Sequence, residues 1–302
     1  MDLRPRTQEG KIKIGVVEIY SNGREDAVRP FDMPGHDRPA WHNHAHHVIE
    51  VIRTFVPGAE FHLVPNTREG FEYLRRVGVS IVNVSLQSGA LLYHRELAED
   101  VFIFVAAGNE SERGEHPLAR LEKACAVGAV NEDLTPRSYS SWGHGAVKTV
   151  AVTGRKWNID GREITLPGTS FAAPVCTGLT AQWMPWYKGV TGVDPKPRTT
   201  SAFVRQNSHD IWDDGKDLRT GWGLYRLPHR FEASKLIIKP GQRMARRIKY
   251  VEGEDPVETS VDLLVPAEVK NDRILIPLRG STEGLDLTVE WDGVKNQAYV
   301  TT

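Results

Sequence analysis

Cysteine is nearly absent: Cys125 and Cys176 are the only two in 302 residues. Two cysteines build no disulfide framework, and the pair reads as buried free thiols, one in an apolar strand and one in a helix. Long apolar runs are also missing, and none reaches the ~20 residues a spanning helix needs. Neither sign of charge is in excess: 38 Lys and Arg face 39 Asp and Glu, for a formal net charge of -1. A nucleic-acid binder would carry a basic surplus, so no nucleic-acid partner is expected. The opening residues Met1, Asp2, Leu3, Arg4, Pro5 and Arg6 lack the apolar core of a signal peptide. That points to a cytoplasmic protein; a processed chain would instead be secreted or held at the cell envelope. The length suffices for a large core and two domains.

The most informative run that is present is Gly168-Thr169-Ser170-Phe171-Ala172-Ala173-Pro174. It sets a serine on a turn at the mouth of a helix, where free N–H groups and the positive dipole end favour a developing negative oxygen. The small residues that follow let the helix pack deeply. Residues 101–110 form an apolar strand that ends in Ala106-Ala107-Gly108-Asn109-Glu110. Lys13-Ile14-Gly15-Val16-Val17-Glu18 reads as a first core strand with a carboxylate at its end. Between them, His44-Ala45-His46-His47-Val48 begins a segment in which Val48, Ile52 and Phe55 recur at helical spacing.

The Ser170 run resembles the nucleophile motif of the subtilisin family of serine proteases, the subtilases, in which Gly-Thr-Ser-x-Ala-(Ala or Ser)-Pro is soon followed by a glycine, here Gly178. The resemblance spans roughly residues 11–228. It implies a triad in the order acid, histidine, serine. It also implies Asn109 as oxyanion donor, because the strand closely matches the family's Ala-Ala-Gly-Asn-Glu. Aligning the family's His-Gly-Thr-His-Val gives His44 as the base, with His47 and His46 as alternatives. Four histidines within Trp41 to His47 could instead bind zinc, but no carboxylate or cysteine set nearby completes a site, and no metal or cofactor is expected. The acid is where the chain departs from the family: Glu18 stands where an aspartate is usual, and Asp26, Asp32 and Asp37 remain open as alternatives. Asn83-Val84-Ser85-Leu86-Gln87 is similar to the family's Asn-x-Ser-Leu-Gly strand, which implies that Ser85, Leu86 and Gln87, with Gly108, line the substrate cleft.

The remaining pattern implies an α/β fold, a mostly parallel central sheet flanked by helices, in a catalytic domain over residues 1–230. The helix after Ser170 is expected to be limited by Pro185, and residues 155–167 to form a loop. Residues 231–302 turn β-rich, and roughly the last 40 are similar to the copper amine oxidase N-terminal-like, or stalk, module. Despite its name, that module implies no copper here; its implied role is packing, or contact with the envelope or a partner. The family resemblance implies a peptide or protein substrate cut through an acyl-enzyme. It also implies weak or no calcium dependence, because the usual calcium-binding loop after the histidine helix is missing. A strand near the N-terminus leaves no room for a folded pro-segment, which again suggests an intracellular enzyme. The alternative reading is a catalytically impaired pseudoprotease that binds peptides on the same fold.

Overall fold

The computed structural model describes residues 11–18, 44–86, 100–113, 124–143, 148–239, 242, 244–262, 268–270, 273–275, 288–292 and 297–301. Gln87, Asp26, Asp32 and Asp37 lie outside these residues.

Strands β1 (Lys13–Val17), β2 (Glu60–Val64), β3 (Ile81–Val84), β4 (Phe102–Ala106), β5 (Ala124–Val130), β6 (Thr149–Val152), β9 (Ser208–His209) and β10 (Leu224–Tyr225) form one sheet in the order β2-β1-β3-β4-β5-β6-β10-β9. Every pairing in it is parallel except β10 with β9. These strands read as near-continuous apolar runs because both faces are covered. Ile14 and Val16 join one core cluster with helices α1 (His44–Phe55) and α3 (Thr169–Thr191). Val17, Val82 and Val105 join the cluster on the opposite face, with Phe71 and Leu74 of α2 (Arg68–Val77). The expected fold class therefore holds: a mostly parallel sheet flanked by helices.

Helices α1 and α3 lie in close contact. A Cβ on Gly178 would fall 2.5 Å from Phe55 Cδ2 and 2.9 Å from Phe55 Cβ, so the glycine after the serine motif is set by this crossing. Cys125 and Cys176 are both buried and free.

Two expectations need correction. Pro185 does not end the helix, which runs on to Thr191 and closes at Gly192 with φ 82°. A proline deletes only one helical N–H, and buried packing outweighs that loss: Trp183 stacks on Phe203 of α4 (Pro197–Gln206) at 4.1 Å and 7°, and contacts Tyr187 at 4.9 Å. Residues 155–167 are not a plain loop either. They hold an antiparallel hairpin, β7 (Lys156–Ile159) and β8 (Arg162–Thr165). Its turn is Asp160-Gly161, with φ 52° and 77°, the left-handed pair a two-residue hairpin demands.

Beyond Pro228 a small antiparallel sheet follows, in the order β13-β12-β11-β17-β16. Its strands are β11 (Glu232–Ile238), β12 (Met244–Val251), β13 (Val257–Asp262), β16 (Thr288–Asp292) and β17 (Gln297–Thr301). A separate two-stranded ribbon pairs β14 (Glu268–Lys270) with β15 (Arg273–Leu275). The sheet is tied to the end of α3, where Lys235 Nζ donates to the Thr191 carbonyl at 2.8 Å and Trp186 meets Phe231 at 5.5 Å.

Candidate active site

In an open parallel sheet, functional groups gather beyond the carboxyl ends of the strands. Glu18 follows β1, Ser85 follows β3, and Gly108 and Asn109 follow β4. His44 starts α1, and Ser170 sits in the first turn of α3.

Glu18 is held by its backbone, whose N–H donates to the Val64 carbonyl at 3.0 Å. Its side chain is 3% exposed and accepts from His44 Nδ1–H at 2.8 Å, while the imidazole is 42% exposed. This contact leaves Nε2 of His44 as the ring nitrogen free to act as a base. Burial of the ring favours the neutral imidazole, but the charge and hydrogen bond of Glu18 outweigh it and hold His44 above the usual histidine value. The other two aligned histidines turn elsewhere. His46 Nε2 meets Asp160 at 2.7 Å, and His47 packs towards Phe171 at 6.5 Å. The His44 ring lies 5.2 Å from that of Phe171, next to Ser170.

The turn before Ser170 is fixed from several sides. Gly168 takes φ 112°, a conformation that L side chains rarely adopt. Its N–H donates to Tyr139 Oη at 2.8 Å. Thr169 donates to Asn109 Oδ1 twice, from its N–H at 2.9 Å and its Oγ1–H at 3.1 Å, while that hydroxyl accepts from the Gly108 N–H at 3.1 Å. With Oδ1 committed to Thr169, the Asn109 amide has its Nδ2–H groups left for an oxygen placed near Ser170.

Pro174 stands four residues after Ser170 and has no N–H, so the Ser170 carbonyl lacks its ordinary helical donor. Ser85 Oγ supplies one at 2.8 Å. Ser85 Oγ in turn accepts from Asn83 Nδ2 at 2.8 Å, and Asn83 Oδ1 accepts from Thr177 Oγ1 at 3.1 Å. Ser170 Oγ returns a hydrogen bond to the Ser85 carbonyl at 3.3 Å. The site thus includes Thr169, Tyr139, Asn83 and Thr177, none of which sequence reasoning assigned to it. Pro174 signals only that the Ser170 carbonyl needs a substitute donor, which Ser85 supplies, and carries no signal for these four. Of the expected cleft residues, Ser85, Leu86 and Gly108 are buried.

Among the described residues no three His, Cys, Asp or Glu side chains converge on one point.

The sequence profile of the Subtilase family (Peptidase_S8) matches residues 56–223. This stretch includes Asn109 and Ser170 and begins after Glu18 and His44. Proteinase T of Parengyodontium album is 35% identical over 121 residues, which are 37% of this chain and 41% of that protein. The chain therefore spans about two fifths of that relative. Among solved structures, a cold adapted subtilisin-like serine proteinase superposes with a TM-score of 0.57 at 20% identity, covering 72% of this chain and 89% of that one. The Prenylagaramide maturation protease PagA does so with a TM-score of 0.56 at 22% identity, covering 72% and 91%. At such identities these superpositions speak for the fold.

Proposed function

Because this chain belongs to the subtilase family, we propose that it is a serine endopeptidase using Ser170 as nucleophile, His44 as general base and Glu18 as the orienting acid. The observation that carries the reading is the 2.8 Å contact of His44 Nδ1 with a nearly buried Glu18 carboxylate. A buried acid on Nδ1 fixes the tautomer that leaves Nε2 as acceptor, and stabilises the imidazolium that forms.

In this mechanism a peptide lies along the end of β3 and its scissile carbonyl reaches Ser170. The hydroxyl turns from the Ser85 carbonyl to His44, which takes its proton as Oγ attacks. The oxyanion is held by the Asn109 side-chain amide and the Ser170 N–H. His44 then protonates the leaving amine, the C–N bond breaks, and an acyl-enzyme remains. Water, deprotonated by His44, releases the acid and restores the serine. A glutamate performs the orienting task if its backbone stands one methylene further back.

Asn109→Ala is expected to lower kcat by about 10²–10³-fold, with KM nearly unchanged. Steady-state kinetics on a chromogenic peptide check this; a fall in KM affinity alone would assign Asn109 to ground-state binding.

A second reading, an impaired peptide-binding pseudoprotease, is favoured by the Ser170 hydroxyl, which donates to the Ser85 carbonyl at 3.3 Å. A fluorophosphonate probe decides between the two. Covalent mass on the Ser170 peptide is the expected result, and folded protein that takes up no label would sink the protease reading. The C-terminal sheet, with its ribbon of β14 and β15, fits a stalk-like packing or attachment module.

A further inference from the structure

A second carboxylate–imidazole contact lies two residues along α1 from His44. His46 Nε2–H donates to Asp160 Oδ2 at 2.7 Å, and the His46 ring is only 2% exposed. Its Nδ1 is buried with no hydrogen-bond partner among the described residues. An apolar side chain would fill this space without leaving a polar atom unsatisfied. What the histidine adds is a directional link to Asp160. Asp160 forms the tip of the β7–β8 hairpin at φ 52°, the left-handed conformation that the two-residue turn requires and Asp tolerates. The same hairpin carries Trp157, whose ring meets Phe55 at the far end of α1 at 6.2 Å. The hairpin therefore grips α1 at both ends, and its second strand leads within a few residues to Ser170.

We propose that His46 and Asp160 are a positioning pair that pins the first turn of α1, and with it the His44 imidazole, to the hairpin leading into Ser170. The inference rests on reading His44 and Ser170 as base and nucleophile. The apolar face of α1, with Val48, Ile52 and Phe55, packs closely and locates the helix as a body, with Phe55 against Gly178 near its far end, while the first turn that carries His44 has the His46 bond as a directional tie of its own. A carboxylate beside a helix's first turn also meets the positive end of its dipole. The distance from Nε2 of His44 to the serine then becomes a property of the hairpin as well as of Glu18.

Three variants of the full chain test the pair. Asp160→Gly suits the left-handed turn and removes the acceptor. Asp160→Asn keeps an acceptor oxygen. His46→Gln sets an amide N–H near the position of Nε2. Asp160→Gly is expected to lower kcat about tenfold with KM within about twofold, because sub-ångström misplacement of a base is costly. Asp160→Asn and His46→Gln should recover kcat to within about threefold of the parent. The Cε1–H NMR signal of His44 should move in Asp160→Gly and return in Asp160→Asn. Parental kcat and an unmoved His44 signal in Asp160→Gly, with any change confined to Tm, would overturn the pair. If the parent neither cleaves peptide nor takes the fluorophosphonate label, the protease reading falls, and the His44 signal still decides the pair on its own. If Asp160→Gly does not fold, the same comparison is made between His46→Ala and His46→Gln.

Discussion

Glu18→Gln is expected to lower kcat about 10⁴-fold while leaving KM and Tm close to the parent values. The substitution keeps the shape of a side chain that is 3% exposed, so no water enters to replace the lost charge. Two things change at His44. A neutral amide oxygen stabilises the imidazolium far less than a carboxylate does. The amide can also turn its NH₂ towards Nδ1, which selects the tautomer with a proton on Nε2 and removes the base. The pH profile carries the sign. The base works when neutral, and Glu18 holds His44 above the usual 6.5 against the opposing pull of burial. The acid limb of kcat/KM in the parent should therefore have its midpoint above 6.5. In Glu18→Gln the raising causes are gone and burial remains, so the limb should move to lower pH. Glu18→Asp keeps the charge but draws it back by one methylene from a backbone fixed on Val64. An intermediate loss of about 10²-fold follows from that ~1 Å gap. Full activity in Glu18→Gln would show that the acid lies elsewhere, in Asp26, Asp32 or Asp37.

Ser170→Ala should be the most severe single change, with kcat down about 10⁶-fold. The loss is expected to be purely chemical. The Ser170 carbonyl still accepts from Ser85 Oγ, and the Thr169 and Gly168 contacts do not involve the hydroxyl. Tm should thus stay close to the parent value, and a peptide should bind with Kd near the parent KM. Residual catalysis about 10³-fold above water would come from the oxyanion donors and from binding. Turnover within tenfold of the parent would remove Ser170 from the mechanism.

The parallel sheet and the Ser170 turn are legible in the sequence because each is local. Buried parallel strands read as apolar runs, and the serine motif lies within one turn and the helix it opens. His44 is separable from its neighbours through the register of the family's His-Gly-Thr-His-Val pattern, which the helical spacing of Val48, Ile52 and Phe55 supports. The supporting contacts are different in kind. Asn109 with Thr169, Ser85 with Ser170 and His46 with Asp160 lie 60, 85 and 114 positions apart. No period or local propensity encodes such a pairing, since it exists only once the strands are in register. Pro185 shows the same limit from the other side. The missing N–H is a local fact, whereas the stacking of Trp183 on Phe203 that carries the helix onward is tertiary.

Pro174 has a consequence for when this site comes into being. The Ser170 carbonyl in the first turn of α3 has no backbone donor and takes its bond from Ser85 after β3, while the free N–H groups of Thr169 and Gly168 are met by side chains that follow β4 and β5. An excised peptide of residues 169–191 would fray at this end however helical its middle became. In a chain still folding, the serine is present but the geometry that makes it reactive is not. On the protease reading, the reactive form of Ser170 is therefore expected only once the segments that follow β3, β4 and β5 are in place.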